Sequence, residues 1–271
     1  MSPLLFGTAG SPHSSAPPKS IVEGVRRVAE LGLDGMELEF VHGVRMPEAE
    51  ARQIAAIAGN RGLRLSVHAP YYINLNGDEE KWPRLRKYLM DAARFGALAG
   101  ATDIIFHPGS YFGRPAADVL AVTIPRLQGC LDELRAEGSR VTLRPETSGK
   151  AAMLGSLQDT LAMAKAIEGV VPCLDFAHLH ARLGDGSMNT YAEWMQALED
   201  YRRALGKRAL QHLHIHLSGI EYGPKGEKHH VPMEAADLDF KNLFRALHDS
   251  GARGRLMCES PRKFRDSLRL A

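Results

Sequence analysis

The sequence predicts a single (β/α)8 TIM barrel. Short aliphatic or β-branched runs alternate eight times with longer stretches of helical period, and five of the eight runs end in a histidine or a carboxylate. Repeated βα units imply a parallel sheet, and right-handed crossovers put every helix on the outside. Eight such strands close naturally into a barrel whose working residues stand at the C-terminal strand ends.

In order, the strands are expected at residues 4–7, 35–40, 63–67, 103–106, 141–145, 171–174, 210–216 and 255–258. The stretches 20–31, 47–60, 79–99, 116–138 and 191–205 carry apolar residues at the three- and four-residue spacing of amphipathic helices. The proline-rich segment 11–19 reads as the loop into the first helix. An open doubly wound sheet is the rival architecture. It is disfavoured because Gly7-Thr8-Ala9-Gly10 runs into serines and prolines, not directly into a helix as a dinucleotide fingerprint would. No low-complexity stretch or long linker breaks the pattern, so residues 1–271 are read as one domain.

With 44% hydrophobic residues the chain can bury a large core. Its formal net charge of +2 does not suggest attachment to nucleic acid by bulk charge, so any such contact must come from a local patch and from bound cations. Cys130, Cys173 and Cys258 are widely spaced and odd in number, which favours reduced core thiols and a reducing compartment. Neither a leader nor a membrane-spanning run is evident, and a cytoplasmic protein is expected by default.

The polar strand ends carry the chemistry. His68, His107, Glu146, Asp175 and Glu259 each terminate a largely apolar run, and His212, His214 and His216 follow one another at a spacing of two on the seventh strand, so that all three face the barrel interior. Two clusters extend the set: His178, three residues after Asp175, and Glu227-Lys228-His229-His230 in the loop after the seventh strand. Any one of these residues alone is ordinarily a cap or a hydrogen-bonded structural group. Their convergence at one mouth would be costly without cations, and mixed imidazole and carboxylate donors suit zinc or a similar divalent ion. His13, His42, His180 and His248, with Trp82 and Trp194, are assigned ordinary surface or packing roles.

The ordered motifs Val67-His68-Ala69-Pro70-Tyr71, Phe106-His107-Pro108-Gly109-Ser110, Pro145-Glu146-Thr147-Ser148-Gly149-Lys150, Leu174-Asp175-Phe176-Ala177-His178, His214-Ile215-His216-Leu217 with Glu227-Lys228-His229-His230, and Cys258-Glu259-Ser260-Pro261 resemble endonuclease IV over essentially the whole chain. That family comprises zinc-dependent apurinic/apyrimidinic endonucleases within the xylose isomerase-like barrels. The resemblance implies three zinc ions, with manganese acceptable in one site. His68, His107 and Glu146 would hold the first; Glu146 would bridge to a second held also by Asp175, His214 and Glu259; His178, Glu227 and His229 would hold the third. Glu227 stands where the family usually has Asp, His230 is the alternative to His229, and His216 occupies a position the family commonly gives to a non-ligand. Tyr71, Arg45 and Lys225 are the expected substrate contacts, although the loop at 41–46 is short for a DNA-reading loop.

The implied activity is hydrolysis of damaged double-stranded DNA 5′ to an abasic site, by a monomer. Zinc lowers the pKa of bound water from ~15.7 towards ~7, so no serine, cysteine or lysine nucleophile is required. Glu146 and Glu259 are the expected catalytic carboxylates, Glu259 orienting or deprotonating the attacking water. An abasic nucleotide stacks poorly and is cheap to extrude, which suits recognition by deformability. The main competing reading is a sugar isomerase or epimerase with one or two divalent ions, since fold alone does not choose between them. The His178, Glu227 and His229 group is what such an enzyme would not need. A lesion-binding protein that does not cut is the third reading.

Overall fold

The computed structural model describes residues 4–263 and 265–267. Eight parallel strands form the barrel: β1 (Leu4–Ala9), β2 (Gly35–Glu39), β3 (Arg64–His68), β4 (Ala101–Phe106), β5 (Thr142–Pro145), β6 (Cys173–Asp175), β7 (Leu213–Leu217) and β8 (Gly254–Cys258). They pair in the order β5-β4-β3-β2-β1-β8-β7-β6. Parallel bridges from Leu143 to Val170 and from Glu146 to Cys173 close the ring between β5 and β6. The expected (β/α)8 barrel is therefore the observed one.

The helices lie outside, as α1 (Ile21–Glu30), α2 (Glu48–Arg61), α3 (Trp82–Leu98), α4 (Ala116–Ala136), α5 (Leu157–Ala166), the short α6 (Phe176–Ala181), α7 (Tyr191–Leu205) and α8 (Phe240–Asp249). Local chemistry sets their starts. The Ser20 side chain caps α1 by accepting from the Glu23 amide, and the pairs Ser156/Asp159 and Thr190/Glu193 form reciprocal capping boxes on α5 and α7. Each helix turns an apolar stripe to the strands: Val22, Val25 and Val28 of α1 are buried, as are Trp194, Leu198 and Tyr201 of α7. Trp194 meets Phe176 edge-on at 5.5 Å.

Two expectations at element level are corrected. Residues 210–212 are not strand: Gly206, at φ +87°, ends α7 and leads into a 3-10 turn over Lys207–Gln211, so β7 starts only at Leu213 and His212 lies below it. The region after β7 is no open loop but an antiparallel hairpin, Gly219–Gly223 against Gly226–Val231. No helix among the described residues is long and apolar enough to cross a membrane.

Candidate metal centre

The upper end of the barrel holds a cavity of about 290 Å3 lined by His68, Tyr71, His107, His178, Glu227, His230 and Glu259, among others. Glu146 stands beneath it, fully buried at the end of β5, and faces two ways. Its Oε2 lies 3.2 Å from His68 Nε2 and 3.6 Å from His107 Nε2, while its Oε1 lies 3.2 Å from His216 Nδ1 and 3.2 Å from His178 Nδ1. One carboxylate thus serves two neighbouring groups of donors. Ligand atoms converge within 4.8 Å in His68/His107/Glu146, in Glu146/Asp175/His216/Glu259 and in Asp175/His178/His230.

Second partners fix the rings. His68 Nδ1 lies 2.9 Å from the Ala69 carbonyl, which accepts its proton and fixes the ring with Nε2 facing Glu146. His178 is held by its own amide, which donates to Asp175 Oδ1 at 2.7 Å, and by the Thr147 carbonyl 2.9 Å from Nδ1, so that Nε2 points at His230 Nε2 at 3.4 Å and Glu227 at 3.6 Å. The hairpin brings Glu227 and His230 to this place through close backbone contact. The Glu227 amide donates to the Gly149 carbonyl at 2.8 Å, and a Cβ on Gly149 would come within 2.7 Å of Glu227 Cβ. Gly226, at φ +90°, makes the turn that allows it.

The structure places the expected residues differently at two positions. Both differences have a register cause. Asp175 pairs with His216 across β6 and β7, so His216 is level with the strand-end carboxylates, whereas His214 stands one layer deeper with Nε2 3.0 Å from Glu37 Oε2. In the hairpin, Glu221 pairs with His229 but Tyr222 pairs with Glu227, which makes Lys228 the extra residue of a β-bulge. The bulge shifts side-chain parity, so Glu227 and His230 share the inner face. His229 turns outward, 62% exposed and 3.6 Å from Glu221. Arg45 and Lys225 are exposed and do not line the cavity, whereas Tyr71 does, 57% exposed and stacked 5.7 Å from His107.

Two residues escaped the reading of the sequence. Glu37 of β2 is fully buried, with its carboxylate accepting from Ser66 Oγ at 2.8 Å and lying 3.0 Å from His214 and 2.9 Å from His216 Nε2. An acid flanked by Met36 and Leu38 within the short strand Gly35–Glu39 was its only signal. Lys150 lines the cavity two residues after Ser148 and brings a cation to its rim.

The electrostatics show a centre that collects positive charge. Burial opposes the charged form of His68, but the hydrogen bond to Glu146 and the negative charges of Glu146, Glu37 and Glu259 outweigh it and hold the imidazole up to about 9. Burial pushes His107 down to about 4 against the pull of Glu146. Burial likewise opposes charge on Glu146, yet the facing histidines hold it well below the usual carboxylate range, while burial and then the nearby Glu146 charge push Glu259 up. Asp175 Oδ2 is buried with no hydrogen-bond partner among the described residues. A buried carboxylate oxygen with no hydrogen bond, 3.4 Å from His178 Nδ1 and amid converging imidazoles, is what a divalent cation satisfies, so the donor set fits metal. Cys173, near His214 and His216, is pushed up by burial and stays a packed thiol.

A family model described as xylose isomerase-like TIM barrel matches residues 25–270. The chain belongs to this xylose isomerase-like family. Among its relatives, the uncharacterized protein MJ0133 of Methanocaldococcus jannaschii is 38% identical over 95% of this chain and 92% of that one. Endonuclease 4 of Thermus thermophilus is 26% identical over 80% of this chain and 78% of its own length. Among solved structures, an endonuclease IV from Thermus thermophilus superposes with a TM-score of 0.70 at 22% identity, covering 97% of each chain. A D-tagatose 3-epimerase-like protein superposes with a TM-score of 0.73 at 16% identity, covering 98% of this chain and 94% of that one. The similarity to endonuclease IV expected from the ordered motifs is thus found in sequence relatives, while the structural likenesses, at these identities, speak for the xylose isomerase-like fold alone.

Proposed function

We propose that the protein is a metal-dependent phosphodiesterase of the endonuclease IV kind, cutting DNA 5′ to abasic sites. The observation that carries this reading is the two-faced Glu146 between adjoining donor groups, with a further group completed by His178 and His230 beside Glu227. His68, His107 and Glu146 would hold one divalent ion, zinc by donor type; Glu146, Asp175, His216 and Glu259 a second; His178, His230 and Glu227 a third. Ions bound there would supply Lewis acidity to the phosphoryl oxygens and lower the pKa of water at the site.

The chain's own groups divide the remaining work. Glu259, at the cavity wall with its carboxyl pushed up by burial and by Glu146, takes the proton of the attacking water. The P–O3′ bond breaks and the departing oxygen takes a proton from solvent, leaving a 3′ hydroxyl on one side and a 5′ deoxyribose phosphate on the other. Lys150 offers a cation to a non-reacting phosphate, and Tyr71, its phenol pushed up by partial desolvation and by the charges of Glu259 and Glu146, remains a neutral donor and a flat wall for the base-free sugar. A duplex oligonucleotide with one abasic analogue tests the reading. Metal-dependent incision immediately 5′ to the lesion is expected, and equal cutting of the undamaged duplex, or none at all, would refute it.

Two variants probe the assignment. Glu259→Gln, assayed with excess metal because Glu259 is also a ligand, is expected to lower turnover by about 10²-fold or more, as the loss of a positioned general base does; full turnover would remove Glu259 from the chemistry. His230→Ala is expected to cost one metal ion per chain, while His229→Ala costs none, measured by elemental analysis of the purified proteins. The opposite pattern would restore His229 to the site.

The four donors Glu146, Asp175, His216 and Glu259 would by themselves suffice for a one-metal sugar epimerase, the second reading. Turnover of a ketose without incision of abasic DNA would favour it.

A further inference from the structure

The opposite end of the barrel carries a second cavity, of about 460 Å3, which takes no part in the chemistry proposed above. Its walls come from the N-terminal ends of the strands: Arg64 opens β3, Arg144 lies in β5, and Arg255 is the second residue of β8. Asp103 is the carboxylate that lines it, the only one among the described residues.

This one acid serves two guanidinium groups, pairing with Arg144 Nε and lying 3.1 Å from Arg255. Both arginines are also tied to the backbone. Arg144 donates to the carbonyls of Pro172 at 3.2 Å and His212 at 3.1 Å, and Arg255 donates to the Leu65 carbonyl at 3.1 Å and to Thr102 Oγ1 at 3.0 Å. Arg64 stands exposed at the rim and makes no ion pair among the described residues. With Arg253, four arginines and one carboxylate line this concave surface, which carries more cationic than anionic side chains, and Arg144 and Arg255 are already fixed in place. Burial pushes Arg255 below the ordinary arginine range despite Asp103, and the charges of Arg144 and Arg64 push the same way.

We propose that this lower cavity is a binding site for a small phosphorylated anion. A phosphate dianion offers several acceptor oxygens to guanidinium donors and balances the excess charge, and fixed arginines lose little entropy on binding it. Thr142 and Gln211 add neutral polar groups to the walls. The volume falls within the usual range for small-molecule sites, so the phosphate can carry an organic group. The site is remote from the upper donor cluster and does not depend on what that cluster hydrolyses.

Isothermal titration of the metal-loaded protein with AMP, and separately with inorganic phosphate, tests the proposal. Saturable binding tighter than about 1 mM is expected for at least one of them, weakened about tenfold or more in Arg64→Glu and retained in His107→Ala. Stronger binding of AMP would identify an organic phosphate, and equal binding free phosphate. Arg64 is exposed, so its replacement leaves the fold intact. The proposal is overturned if neither probe saturates by about 10 mM. It is also overturned if Arg64→Glu changes nothing, or if His107→Ala abolishes binding and so assigns it to the upper cavity.

Discussion

Replacing Glu146 with Gln is expected to abolish phosphodiester cleavage, by about 10³-fold or more, and to strip metal from two neighbouring groups at once. The amide keeps the shape of the side chain but not its charge, and only one of its two ends accepts. In the protein, one carboxylate oxygen faces His68 and His107 and the other faces His178 and His216. A glutamine must turn its NH2 toward one pair, where the imidazole nitrogens would meet a donor in place of an anionic oxygen. The histidine scaffold persists, since His68 is held by the Ala69 carbonyl and His178 by Thr147, so circular dichroism should change little. Elemental analysis showing a full metal complement in Glu146→Gln would refute the shared role.

The second large effect is on stability. Asp103→Asn is expected to destabilise the protein by about 3–5 kcal/mol, because it leaves Arg144, buried at the base of the barrel, without its carboxylate. For a chain of this size that corresponds to a Tm lower by roughly 10 °C. The pH dependence has a definite sign. Burial opposes ionisation of Asp103, but Arg144 and Arg255 overcome it and depress its pKa below the ordinary carboxyl value. Its stabilisation is fully present above that ordinary value of about 4 and is lost as pH falls through the depressed one. Urea unfolding of both proteins should therefore show the gap at pH 7 and its closure in strong acid. Equal stabilities at pH 7 would show that the buried arginine finds other compensation.

The strand-end rule made much of the site legible in the sequence. His68, His107, Glu146, Asp175 and Glu259 each close an apolar run, and hydrophobic period alone says where such runs stop. What the sequence could not show is the stagger between strands. His214 and His216 share a face, and only the pairing of Asp175 with His216 decides which of them stands at the mouth. The hairpin bulge is a subtler case, since the family resemblance implied Glu227 with His229, and one extra residue, Lys228, reversed the parity. Glu37 was hidden for another reason. Its partners Ser66 and His214 lie 29 and 177 positions away, and nothing local marks an acid in mid-strand as the hub of a buried network. Arg45 and Lys225 illustrate the converse, cations near site motifs in the chain that the loops carry away from the cavity.

The central claim is that the upper cavity holds three divalent ions and not one. Anomalous diffraction from crystals grown with zinc addresses it most directly. Three peaks are predicted, two of them flanking Glu146 and the third between His178 and His230 near Glu227. A single peak within Glu146, Asp175, His216 and Glu259 would contradict the account and favour the one-metal sugar chemistry instead.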